Sequence, residues 1–298
     1  MRYYSTNNTL FIRGLFRAAS TGTSGGVRSV PAILIHSAPP DATVTDPEKT
    51  LDLIMAGAGL GTEYYGLITA VPAEHACVLQ YDYITVFISA AIRREPPGNG
   101  GSINIIIMSG EGMADSALIE AVMIASEAKA EALMAMDMPL TGTPADGVIA
   151  ACEGEGTIYH HTAGRGSEAG RRIREAVLHG IPEAIGRHDA GVREAAPAFF
   201  IFSRLQEDHW IKWSKKDCPY YPCHFEGQSC DFCYCPFYPC HDETLGQWTT
   251  GSNGKKVWNC ASCTLLHEPD VAAYFKRYPK ASLQELKKLA SAPKRKSS

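Results

Sequence analysis

Lys129 is one of only two lysines in the first 200 residues, the other being Lys49, and it falls on an apolar helical stripe. Leu118, Val122, Ala125, Ala132 and Met136 recur at steps of four, three, seven and four residues, the spacing of one helix face. Lys129 shares that face, whereas Glu120, Glu127 and Glu131 fall toward the opposite side. An ammonium so placed either snorkels out along the helix edge or enters a pocket and meets a carboxylate, because an unpaired buried charge costs several kcal/mol. Asp146 in TGTPADG (141–147) is the acid the pattern offers, with Thr141 and Thr143 just before it. A second turn rich in hydroxyls and glycine, TGTSGGVRS (21–29), follows Arg17 and Ser20 and contains Thr21, Gly25 and Gly26. Such turns expose backbone N–H groups that can cradle an oxyanion or a phosphate. They also simply connect strands, and neither matches a Walker loop or a dinucleotide fingerprint. His36, beside Ser37 at the end of one strand, and His160/His161, at the end of another, stand where a general base could sit. A cationic pocket wall suits an anionic or carbonyl-bearing substrate.

The other chemistry-bearing group is sulfur. Eight of the ten cysteines fall between Cys218 and Cys263, and CPYYPCH (218–224) recurs as CPFYPCH (235–241). The potential ligands are Cys218, Cys223, His224, Cys230, Cys233, Cys235, Cys240, His241, Cys260, Cys263 and His267. Paired thiols on tight turns, with distant pairs brought together, match what tetrahedral zinc asks of a loop-rich segment. The expectation is two closed structural Zn²⁺ sites. An iron–sulfur or redox centre is the alternative, and a disulfide framework a third, disfavoured because the opening residues carry polar groups where an apolar signal region would sit. Cys77 and Cys152 lie in apolar strand contexts and read as small buried hydrophobes.

Elements able to hold these groups follow from the same pattern, in a chain whose 298 residues exceed one average domain. Apolar runs of strand length alternate with helical patterns through the first 200 residues, cut at Gly and Pro. TLFIRGLFRAAS and PAILIHSA read as strands; TDPEKTLDLIMAGAG as a helix with Thr45 as N-cap; YYGLITAV, DYITVFISAAI and GSINIIIMS as three more strands. A helix over 115–137 follows. VIAAC and GTIYHH read as a hairpin across EGEG, and SEAGRRIREAVLHGIPEAI as a closing helix. The order predicts an α+β fold, a mixed β-sheet layered with helices over 1–197, then a small zinc-stabilised cysteine-rich domain over 198–298. Residues 198–217 read as the joint.

Charge divides the chain the same way. The first 200 residues carry 14 basic and 22 acidic side chains, the remainder 14 and 10. The basic remainder invites nucleic acid, yet eight thiolates with two Zn²⁺ would make the module neutral or acidic. A nucleic-acid partner is therefore not expected, and PKRKSS reads as a frayed tail. No apolar run approaches a membrane span, and the expected location is the cytoplasm.

Three segments in order, GSINIIIMS, SALIEAVMIASEAKAEAL and TGTPADGVIAA, from Gly101 to Ala151, resemble the central block of the adenosylcobinamide amidohydrolases, corrinoid-salvage enzymes found notably in methanogenic archaea. The resemblance extends upstream through FRAASTGTSGG, with Arg17, Gly25 and Gly26, and GLITAV (66–71), and downstream through AGRGSEAGRRIREAV. The cysteine-rich region is similar to a small domain that follows this enzyme in some archaeal proteins. The resemblance implies hydrolysis of the amide joining a corrin propionate to aminopropanol, giving adenosylcobyric acid and 1-amino-2-propanol, with the corrinoid as substrate and no organic cofactor. Such a site must activate water or a hydroxyl nucleophile, stabilise an oxyanion, protonate an amine and offer an apolar face. On that reading Asp146 is the general base or orienting carboxylate, Lys129 its charge partner, and Asn104 with loop N–H groups the oxyanion donors. Thr143 joins them, and Arg17, Ser20, Thr21, Gly25, Gly26, His36 and Thr141 contact substrate. Two departures stand out: Gly166 occupies a position where the family commonly has histidine, and SAAIRRE lacks a Gly-Asn pair. A non-catalytic corrinoid-binding domain is the competing class, its metal module docking a protein partner through Tyr220, Tyr221, Phe232, Tyr234, Phe237 and Tyr238.

Overall fold

The computed structural model describes residues 2–39, 42, 44–92, 101–153, 158–190, 203–206, 209–212, 221–230, 232, 235, 237, 239–250, 256–278 and 281–291. In chain order its elements are β1 (Arg2–Thr6), β2 (Thr9–Ser20), β3 (Gly26–Ser37), α1 (Pro47–Gly57), β4 (Tyr65–Thr69), β5 (Cys77–Tyr81), β6 (Ile84–Ile92), β7 (Gly101–Ser109), β8 (Gly112–Met113), α2 (Asp115–Ala135), β9 (Gly147–Cys152), β10 (Tyr159–His160), α3 (Glu168–Asp189), β11 (Ser203–Gln206) and β12 (His209–Lys212). The cysteine-rich part adds β13 (Gln247–Thr250), β14 (Lys256–Asn259), α4 (Pro269–Arg277) and α5 (Leu283–Ser291).

The main sheet runs β12-β11-β5-β6-β7-β9-β2-β3-β4, with β1 paired to β2. The β7–β9, β3–β4 and β5–β11 pairs are parallel; the other pairings are antiparallel. This is the mixed, helix-layered α+β sheet expected. Strands β6, β7 and β9 read as continuous apolar runs because both faces are buried. One face carries α2 and α3, whose Leu118, Ala121, Ala128, Ile173, Val177 and Ile181 pack on Ile88, Ile105, Ile107 and Ala150. The other carries α1, whose Leu51 and Met55 meet Phe11, Ala32 and Leu34.

Local expectations shift in four places. Asp46, not Thr45, caps α1, its carboxylate accepting the Lys49 N–H at 3.0 Å. The buried side of α2 is turned toward Ala117, Ala121 and Ala128, leaving Val122, Lys129 and Met136 at its edge. The hairpin expected across EGEG does not form: β9 already has β7 and β2 as neighbours, and β10 pairs in parallel with β8. Segments 203–206 and 209–212, read as part of a joint, form an antiparallel β11–β12 pair that extends the main sheet beyond β5. Compactness accordingly groups Met1–Glu194 with Ile201–Trp213, and Ala195–Phe200 with Ser214–Ser298, so the division expected at 197/198 falls ahead of a strand pair that belongs to the first unit.

A β-bulge lies between Arg13 and Phe16, where three steps along β2 run against two along β3. Before it, Phe11 faces α1; beyond it, Ala19 joins the α2 face. In the second unit Leu265, Leu266, Val271, Phe275 and Leu286 form a separate core. No helix among the described residues is long and apolar enough to cross a membrane.

Candidate active site and cysteine-rich centre

Strands β7 and β9 run in parallel and begin at one edge of the sheet, with Asn104 opposite Gly147, and β2 ends at that same edge with Ser20 opposite Ile149. The TGTPADG loop enters β9 there and folds back onto α2. Lys129 Nζ donates to Asp146 Oδ2 at 2.5 Å, with side-chain exposures of only 12% and 10%. The other donors to Asp146 are the Thr143 N–H to Oδ2 (3.0 Å), and the Ile103 N–H (2.8 Å) and Thr143 hydroxyl (2.7 Å) to Oδ1. Four donors fill a carboxylate's accepting positions. Asp146 therefore orients Lys129 and pins its loop to the start of β7, and it has no open lone pair with which to act as a base.

Gly142 makes this closeness possible. A Cβ there would sit 2.5 Å from Lys129 Nζ and 2.6 Å from Asp146 Oδ2. Gly142→Ala should consequently part the pair and cost on the order of 1–3 kcal/mol, the usual range for overpacking. Denaturant unfolding of the purified variant checks this; a stability equal to that of the parent would contradict the fit described.

Around the pair lie the other expected groups. Thr21 is locked to β9, its hydroxyl accepting the Val148 N–H at 2.9 Å and its own N–H donating to the Val148 carbonyl at 3.0 Å. Ser20 Oγ accepts the Gly22 N–H at 3.0 Å. Gly25 leaves no room for a side chain, since a Cβ would lie 2.4 Å from the Ser20 carbonyl oxygen, and Gly26 has φ +112°, a conformation that favours glycine. Thr141 is exposed on the loop. Asn104 is sealed in the sheet at 1% exposure, its amide directed at the Ile68 carbonyl 3.5 Å away. It is a strut between β7 and β4, beside the Thr69–Ser102 hydroxyl contact of 2.7 Å, and does not reach an open surface as an oxyanion donor must.

The remaining predicted residues sit elsewhere. Arg17 forms a two-pronged pair with Asp115 at the start of α2 (2.8 and 2.6 Å), which raises the guanidinium's pKa and lowers that of the Asp115 carboxyl, chiefly through this hydrogen bonding. His36 shares a 2.8 Å contact with the Thr9 hydroxyl, and burial lowers its pKa. His160 Nε2 lies 2.6 Å from Glu111 Oε2, and its ring stacks on Tyr83. This pair occupies the opposite, carboxyl ends of β7 and β9. Glu120 holds the loop after it, accepting from the Thr162 hydroxyl and from the Ala163 and Gly164 N–H groups.

In the cysteine-rich unit a buried amide organises one group of candidate ligands. Gln228, 1% exposed, directs Nε2 at Cys223 Sγ (3.0 Å) and Cys230 Sγ (3.6 Å), while its oxygen accepts the N–H groups of His224 and Phe225. His267 places Nδ1 3.0 Å from the Ser229 carbonyl, which leaves Nε2 for a ligand, as in a metal-bound histidine whose other ring nitrogen is anchored to the backbone. His224 and His267 have ring centroids 4.2 Å apart. A second group comprises Cys235, Cys240, Cys260 and Cys263. Burial and, to a lesser degree, the other three thiols push Cys235 up to about 12. Cys260 and Cys263 share a turn closed by a 3.0 Å backbone bond. Soft thiols beside imidazole fit zinc chemically, although among the described residues no three candidate ligands converge closely enough to hold an ion. No disulfide joins any of the eight described cysteines. Cys218 and Cys233 lie outside the described residues, as do Tyr220, Tyr234 and Tyr238. Phe232 and Phe237 pack on Phe275, with centroids 5.1 and 5.2 Å away, so these two expected anchors serve the unit's own core.

The family model described as adenosylcobinamide amidohydrolase matches residues 3–192. The chain belongs to the adenosylcobinamide amidohydrolase family. A second family model, the cysteine-rich small domain, matches residues 209–290. The adenosylcobinamide amidohydrolase of Methanosarcina mazei is 35% identical over 191 residues, which are 61% of this chain and 96% of that one. That of Halobacterium salinarum is 25% identical over 194 residues, 58% and 82% of the two chains. A probable cobalt-factor III C(17)-methyltransferase of Methanothermobacter thermautotrophicus is 48% identical over 63 residues, 21% of this chain and 17% of that one. An adenosylcobinamide amidohydrolase is a hydrolase acting on an amide bond, so the groups that matter are those able to meet a carbonyl and an amine.

The groove of about 820 Å³ in the cysteine-rich unit, lined among others by Glu243, Gln247, Cys263 and Lys287, lies outside the segment matched to the hydrolase family. Sequence reasoning missed Asp115 as the partner of Arg17, and Gly142 as the residue that admits the Lys129–Asp146 pair. Position 142 carried a signal, a glycine flanked by threonines shortly before the pairing acid. Asp115 had none.

Proposed function

We propose that this chain cleaves the aminopropanol amide of adenosylcobinamide at the edge where Lys129 and Asp146 meet, releasing adenosylcobyric acid and 1-amino-2-propanol for corrinoid salvage. The family membership supports the reaction, and the observation that carries the site is a nearly buried ammonium held on a fully hydrogen-bonded carboxylate beside an exposed hydroxyl- and glycine-rich loop. Water adds to the carbonyl carbon, the oxygen takes up negative charge, the C–N bond breaks and the amine leaves with a proton. Lys129 is the group for the developing oxyanion, because its Nζ commits one N–H to Asp146 and an ammonium has two more. Asp146 keeps that ammonium aimed, and Thr143 keeps Asp146 aimed. Thr21, Gly25, Gly26 and Thr141 form the rim that substrate crosses.

The cysteine-rich unit would be held by two Zn²⁺ ions, one at Cys235, Cys240, Cys260 and Cys263, the other drawing on Cys223, Cys230 and His267. Its role would be to dock a protein partner rather than to take part in amide chemistry.

The deciding assay incubates the purified, zinc-replete protein with adenosylcobinamide and follows both products by mass. Stoichiometric adenosylcobyric acid and aminopropanol are expected; an unchanged corrinoid bound to the protein would favour the non-catalytic corrinoid-binding reading instead.

A further inference from the structure

Large apolar side chains exposed among the described residues are scattered singly, except on α2, where Ile119, Met123 and Met134 are 50%, 56% and 65% exposed. No other element holds more than one. Single exposed apolar residues are ordinary on any surface, whereas a contiguous row marks a surface that meets another. Ile119, Met123, Ser126, Ala130 and Met134 follow at steps of four, three, four and four residues, which sets them along one ridge of the helix. That ridge is turned away from the buried Ala117, Ala121 and Ala128. A helix facing solvent ordinarily carries its charges there. In α2 they stand on the flanks instead, Lys129 on one and Glu127 with Glu131 on the other.

The ridge is also symmetric. Ile119 and Met134 lie equally far from the midpoint between Ser126 and Glu127, and so do Met123 and Ala130. A second α2 laid antiparallel about that midpoint sets Ile119 against the partner subunit's Met134, and Met123 against the partner subunit's Ala130. The inner layers thus oppose a long, adaptable side chain to a methyl, twice over by symmetry, which lets the axes approach to the usual separation of about 8–10 Å.

Charge repeats the pattern. A two-fold axis perpendicular to both helices brings the Glu127 flank of one copy beside the same flank of the other, as in any isologous contact. Arg165 stands on that flank, 66% exposed and loosely paired, 3.8 Å from Glu127 and 3.9 Å from Glu131. Near the axis two Glu127 carboxylates converge, and each Arg165 is placed to meet the partner subunit's Glu127 as well as its own. The Lys129 flank is not needed, its ammonium being turned to Asp146.

We infer that the outward ridge of α2 docks a second copy of this chain, the two helices packing antiparallel about a two-fold axis beside Ser126 and Glu127. The ridge runs about 22 Å from Ile119 to Met134 and is one helix, about 10 Å, wide. It therefore covers well under the roughly 800 Å² per partner of a standard interface, and the association is a reversible one, with Kd on the order of micromolar. It is independent of whether the Lys129 edge cleaves an amide.

Sedimentation velocity of the full-length, zinc-replete protein, from about 1 to about 300 µM, reads the association. A passage from monomer to dimer over this range is expected, and Met123→Glu, which sets a carboxylate into each inner layer, should weaken it about tenfold or more. A chain that stays monomeric throughout overturns the inference, and so does a dimer equally tight in the Met123→Glu variant. The register is read separately and does not depend on that variant. A mixture of Met123→Cys and Ala130→Cys proteins is treated with a short bismaleimide, and the peptides linked between copies are identified by mass spectrometry. Positions 123 and 130 should link. Positions 130 and 134, mixed in the same way, should not, because antiparallel packing holds them eleven residues, about 16 Å, apart along the helices. Preferential linkage of 130 to 134 overturns the antiparallel pairing.

Discussion

Lys129→Met is expected to lower kcat for adenosylcobinamide by about 10²–10³-fold, the usual consequence of removing a group aimed at a developing oxyanion. The same substitution strands Asp146, which is only 10% exposed, and breaking such a buried pair costs about 3–5 kcal/mol. Asp146→Asn strands Lys129 in turn and should destabilise comparably. The double variant leaves no buried charge unmatched, so it should recover most of the lost stability while regaining none of the activity. Measuring both quantities across the four proteins separates catalysis from architecture: a double variant that regains turnover would show that the pair only fastens a loop. The cycle is informative because the partners are in direct contact, where additivity fails.

Metal removal is expected to produce the other large effect. Stripping the ions with a chelator, or replacing Cys260 by Ser, should abolish the cooperative structure of the 214–298 unit, since a structural zinc supplies folding energy that a small core cannot. Its described core has five buried members, Leu265, Leu266, Val271, Phe275 and Leu286, too few to hold a loop-rich unit alone. Limited proteolysis should then cut within the cysteine-rich segment while the 3–192 segment survives. Elemental analysis of the untreated protein should give about two zinc ions per chain. Iron with acid-labile sulfide would replace zinc by an iron–sulfur reading, and one zinc per chain would show that the two thiol groups do not each hold an ion.

Much of this arrangement was legible in the sequence because the chain obeys simple local rules. β6, β7 and β9 are predominantly apolar on both faces, the pattern of interior strands. Lys129 stood out because it interrupts an apolar stripe, and the cost of an unpaired charge required a partner, found in Asp146. What failed was non-local. Asn104 looked like a functional polar group in an apolar run, but it bridges β7 to β4, a contact set by the course of the sheet rather than by neighbouring residues. Arg17 and Asp115 meet across 98 positions. The hairpin read across EGEG is plausible as local turn chemistry, yet β9 was already flanked on both sides. In α2, the alanines at 117, 121 and 128 allow the helix to press close to the sheet, so small residues rather than the larger members of the stripe define its buried side.

The irregularity at Gly14–Leu15 gives β2 one place where its length is negotiable. Leu15 is 75% exposed, and Arg13 and Phe16 on either side of the irregularity pair with Ala32 and Val30, which point the same way along β3. A version of this strand lacking Leu15 would keep Phe16 across from Val30 and the guanidinium of Arg17 turned to the same side. Loss of a single residue at Ala18 would act quite differently, because the alternation there is unbroken and the hairpin end would have to roll over, trading inner for outer side chains. Loss of one residue thus leaves the lie of the strand unchanged at one point and overturns it three positions later.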